Sequence, residues 1–102
     1  MSYKLITNTG KKYDCLSFGL SPMNFVVSTV QIDNFLEATI IFSDPEETQV
    51  LKAVNEEYNE KYGYDDEITF TGYTELVYVE KTENGIKIAL KKPIEGQGEN
   101  NA

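Results

Sequence analysis

Asn84-Gly85 lies between two runs of alternating apolar and polar residues, and no other feature constrains this chain as strongly. Asn-Gly is the strongest two-residue signal for a β-hairpin, because the favoured turn needs positive φ at both positions and these residue types tolerate it. Pairing about that turn predicts a strand over residues 73–80 and a partner strand from Ile86. It places Val77, Val79, Ile86, Ile88 and Leu90 on one face, and Tyr78, Glu80, Thr82, Lys87 and Lys91 on the other. One face is therefore core and the other wet, and the rest of the chain must supply more strands and a helical cover.

The upstream pattern supplies both. Residues 3–7 and 13–18 read as a hairpin, with Gly10 providing a positive φ in the turn. Residues 19–22 interrupt the pattern, and the β-branched run over residues 25–32 predicts a third strand. Asn34 with Glu37 three residues on resembles a capping box, and Phe35, Leu36, Thr39, Ile40 and Phe42 follow as a helical stripe; Ile40-Ile41-Phe42 fits a strand as well. Asp44 as cap, Pro45 at the first helical position, Glu46 and Glu47 in the first turn and Gly63 as C-cap predict a helix over residues 45–62. That helix turns Val50, Leu51, Val54, Tyr58 and Tyr62 inward. Residues 68–71 add another strand. The expected fold is a single α+β domain over residues 1–93, an antiparallel sheet of five or six strands with one or two helices on one face. Residues 94–102 have almost nothing to bury and are expected to form a disordered tail.

The chemistry is bounded by what 102 residues leave out. There is no His, Trp or Arg, and Cys15 is the only cysteine. Ser-His-Asp and Cys-His catalysis, imidazole and Cys-pair metal sites and an arginine finger are thereby excluded. Cys15 reads as a core thiol with no base to activate it. Glu56, Glu57, Glu60, Asp65, Asp66 and Glu67 form the densest acidic segment, but EF-hand spacing is absent, and the segment reads as a solvated face. The expectation is a protein that is not an enzyme and holds no metal or cofactor. A net charge of −8 argues against binding nucleic acid or an anionic membrane. With a lone Cys and neither a signal-peptide apolar region nor a membrane-length apolar run, the chain is expected in a reducing cytoplasm or on a particle assembled there.

Phe42-Ser43-Asp44-Pro45-Glu46-Glu47-Thr48, Gly72-Tyr73-Thr74-Glu75-Leu76 and Ile88-Ala89-Leu90-Lys91-Lys92 give the chain a wider likeness. With the N-terminal hairpin, these phrases resemble a group of small, uncharacterised proteins encoded by phages and prophages of Gram-positive bacteria. The resemblance spans about two-thirds of the chain, through short phrases, and implies a role among tail or late gene products. It also implies a strand over residues 49–54, against the helix that local physics favours.

Seven Tyr residues provide the remaining lead, since Tyr is enriched where proteins meet. Tyr64 and Tyr73, with Glu56, Glu60, Asp65, Asp66 and Glu67, form the candidate interaction surface. The expected function is non-catalytic, through contacts with a phage structural or host protein, in virion or tail assembly. The alternative is an acidic mimic of nucleic acid that inhibits a host nucleic-acid-handling or defence protein. Neither reading fixes an oligomeric state.

Overall fold

Short turns between strands favour antiparallel neighbours, and the sheet is antiparallel throughout. A computed structural model describes residues 3–93. The elements are β1 (Tyr3–Ile6), β2 (Lys12–Leu20), β3 (Val26–Val30), α1 (Phe35–Phe42), α2 (Pro45–Thr48), β4 (Val50–Val54), α3 (Glu56–Tyr62), β5 (Ile68–Thr71), β6 (Glu75–Lys81) and β7 (Ile86–Lys91). Seven strands form one sheet in the order β5-β4-β1-β2-β3-β7-β6. The fold is α+β as expected, with seven strands and three helices. The tail expected over residues 94–102 lies outside the described residues.

That strand order forces the sheet to roll. β5 and β6 are opposite edges, yet only Gly72, Tyr73 and Thr74 join them. Flat, seven strands would hold the edges about 29 Å apart, whereas the chain from Thr71 to Glu75 reaches at most about 14 Å. Phe18 of β2 and Phe70 of β5 register the curvature, meeting edge-on with ring centroids 4.9 Å apart although two strands lie between them. Bulges in β2 between Cys15 and Ser17 and in β6 between Leu76 and Tyr78 help the sheet twist. The core gathers Leu5, Cys15, Val30, Leu51, Ile86, Ile88 and Leu90 from the strands with Ala38, Ile41 and Phe42 from α1. α1 lies against β6 and β7, and Phe42 tilts against Tyr13 of β2.

The helix predicted over residues 45–62 is corrected: it is α2, β4 and α3 in succession. Its local signals are real but belong to two helices. Asp44 Oδ1 accepts from Glu46 N at 2.9 Å and starts α2, while Asn55 Oδ1 accepts from Tyr58 N at 3.1 Å and starts α3. Between them β4 hydrogen-bonds β1 on one side and β5 on the other. Two ladders satisfy the backbone groups of residues 50–54 from both sides while Leu51 and Ala53 are buried, and tertiary pairing overrides propensity. Leu51 and Ala53 are buried; Val50 and Val54 are only half-buried; Tyr58 and Tyr62 are exposed rather than core.

The β6–β7 hairpin forms, but its turn is not the two-residue one. Lys81 pairs with Ile86 across a four-residue loop. Thr82 N donates to Gly85 O at 2.8 Å, and Gly85 N donates to Thr82 Oγ1 at 3.0 Å. Gly85 does not have positive φ; a Cβ there would lie 2.5 Å from Val30 O, so glycine is required by close approach to β3. The β6 bulge also changes the predicted faces. Val77 is 37% exposed, and Leu76 packs on the core with Val79 instead.

Candidate interaction surface

α3 is short and capped at both ends. Asn55 starts it, Glu56 and Glu57 occupy the first turn, and Lys61 the last. Gly63 ends it with φ 68°, and Tyr64 N reaches back to Asn59 O at 2.9 Å. None of its residues is buried. The four-residue spacing puts Tyr58 and Tyr62 on one side with ring centroids 4.8 Å apart. The left-handed turn at Gly63 returns Tyr64 to them, 5.7 Å from Tyr58 and 6.0 Å from Tyr62. Tyr62 and Tyr64 are each 52% exposed, so this aromatic cluster faces water. The Lys61 ammonium sits 5.3 Å from the Tyr62 ring centre.

Beside the cluster, a cleft of about 310 Å3 is lined by Tyr3, Asn55, Tyr58, Asn59, Asp66, Glu67 and Ile68. Asn59 Nδ2 donates to Asp66 O at 2.8 Å and ties the segment before β5 to α3. Glu67 pairs with Lys52 at 3.4 Å and Glu56 with Lys12 at 3.3 Å, all four side chains well exposed. Such pairs contribute little to stability. Glu60, Asp65 and Asp66 have no ion-pair partner among the described residues. Rings with polar tips beside free carboxylates make a surface suited to a basic or polar protein partner.

Six of the seven candidate residues, Glu56, Glu60, Tyr64, Asp65, Asp66 and Glu67, therefore belong to α3 or the segment leading to β5. Tyr73 belongs elsewhere. It packs edge-on against Phe70 at 5.7 Å beneath the Lys92 ammonium, bordering a different cleft with Met23, Asn24 and Phe25. Tyr58 and Tyr62 replace it, and Tyr3 joins the cleft. Asn55 was the signal for them, since a cap there restarts the helix and changes which side its tyrosines take.

Two other groups with chemical potential are structural. Burial pushes the Cys15 thiol up to about 11, and its Sγ donates to Ser17 O. Glu47 is buried between the β1–β2 turn and α2. The Thr9 hydroxyl, and then Lys11 and Thr7, hold its carboxyl below the usual range against the opposing effect of burial. Among the described residues no group of three or more Cys, Asp or Glu side chains is placed to hold a metal ion, and no helix is long and apolar enough to cross a membrane. The chain matches no family model, no curated protein and no solved structure.

Proposed function

We propose that this chain is a non-catalytic protein of the phage and prophage kind, acting through protein–protein contacts in virion or tail assembly. The observation that carries the contact role is the exposed Tyr58–Tyr62–Tyr64 cluster beside a carboxylate-lined cleft. Water-facing rings that touch one another keep their area available for a partner at low entropic cost. The surrounding acids favour a partner with a basic rim, steering association more than strengthening it. The viral setting rests on the Phe42–Thr48 and Gly72–Leu76 phrases. An acidic mimic is the second reading, favoured by the unpaired Glu60, Asp65 and Asp66.

The test uses the full chain as bait in Gram-positive cells that are phage-infected or carry an induced prophage. A recovered virion or tail protein, lost when Tyr58 and Tyr64 are both changed to Ala, is the expected result. Equal recovery by that variant rules out this surface. If the partner instead binds nucleic acid and duplex DNA displaces it from the bait, the mimic reading replaces assembly.

A further inference from the structure

α1 is apolar on more than its core side. It buries Ala38, Ile41 and Phe42, yet Phe35, Leu36 and Ile40 are 44%, 66% and 60% exposed. A helix apolar all round is ordinarily covered all round. Contacts with β6, β7 and α2 account for only part of this one. Leu36 and Ile40 are four residues apart and stand together on the outward side. Phe35 continues the patch into a cleft of about 390 Å3 beside the β6–β7 turn, where Ile32, Asp33, Lys81 and Glu83 also line the wall.

The segment that carries this patch has charge of one sign, although Lys81 of β6 lines the cleft that Phe35 enters. Residues 31–48 contain Asp33, Glu37, Asp44, Glu46 and Glu47 and no basic residue. Glu47 is buried and engaged by Thr9 and Lys11. The other four are exposed and have no ion-pair partner among the described residues. We propose that the outward side of α1 docks a basic amphipathic segment of another protein. Leu36 and Ile40 pack against its apolar side, while Asp33 beside the patch and Glu37 on the same helix face its Lys or Arg residues. A second copy is the wrong occupant, because each copy carries −8 and the same acidic rim, so like charges oppose each other. This surface is separate from the α3 surface and gives the chain a second point of contact.

The experiment titrates the full chain with two synthetic amphipathic helical peptides sharing one Leu stripe, one with Lys and one with Glu on the polar side. The Lys peptide is expected to bind, weakening as salt rises, and the Glu peptide to bind at least ~10-fold more weakly. Changing Leu36 and Ile40 together to Ala is expected to weaken the Lys peptide by ~10-fold or more. Glu37→Lys, which leaves the apolar patch intact, is expected to weaken it as well. Tyr62→Ala is expected to leave it unchanged. Absence of Lys-peptide binding, or equal binding by the parent, the Ala pair and Glu37→Lys, overturns the proposal. Self-association that is lost in the Ala pair overturns it in favour of a second copy.

Discussion

At the β3–β7 end of the sheet the chain is dry, although the edge strand β6 beyond it buries no residue fully. Ile86, Ile88, Ala89 and Leu90 are no more than 2% exposed, α1 lies over them, and Gly85 presses on the backbone of β3. At the β5–β4 end, β4 buries Leu51 and Ala53, but the edge strand β5 has four residues, of which only Phe70 is even half-buried, and neighbouring α3 buries none. Both ends are antiparallel sheet, so secondary structure does not separate them. Burial does: one end concentrates the apolar area that stabilises the fold, and the other leaves its rings and carboxylates free to meet a partner. A surface that contributes little to folding can change for recognition at little cost in stability.

The largest effect should come from the dry end. Ile88→Ala removes a fully buried side chain and should cost about 2–5 kcal/mol. Chemical denaturation measures it, and a loss below about 1 kcal/mol would break the contrast between the two ends. Gly85→Ala comes next, at about 1–3 kcal/mol, because the added methyl meets Val30 O. A melt unchanged by this substitution would mean the loop can lift away from β3.

The third prediction concerns pH. Glu47 has a depressed carboxyl in the folded protein, so the stability it contributes is present above the unfolded value of about 4.3 and is lost as pH falls through that value toward the folded one. Glu47→Gln should lower stability at pH 7 and flatten its decline below about pH 5. Melts of both proteins across that range test this, and parallel curves would remove the role of Glu47. The smallest effect belongs to the wet end. Tyr62→Ala should change stability by no more than about 0.5 kcal/mol. A much larger loss would make the tyrosine cluster part of the core and remove it as a contact surface.

Several elements could be read directly from local chemistry. Asn34 accepts from Glu37 N at 3.0 Å, Asp44 and Pro45 open α2, and Gly10 and Gly63 take the positive φ their turns require. Of the candidate surface, the acidic residues and Tyr64 follow from the sequence because they crowd a short polar segment. Tyr58 and Tyr62 do not, because their direction depends on where the preceding helix ends.

The sequence alone determined the class of fold, the capped helix ends, the apolar runs and the absence of His and Arg chemistry, because each depends on residues within a few positions of one another. Tertiary structure decided three things that no local window contains. Residues 50–54 became a strand because β1 and β5 both offered ladders. The bulge before Tyr78 turned Val77 outward, and Val30 O set the need for glycine at position 85. Each depends on a partner far away along the chain, and the free energy of pairing with it exceeds the few tenths of a kcal/mol per residue by which local propensities differ.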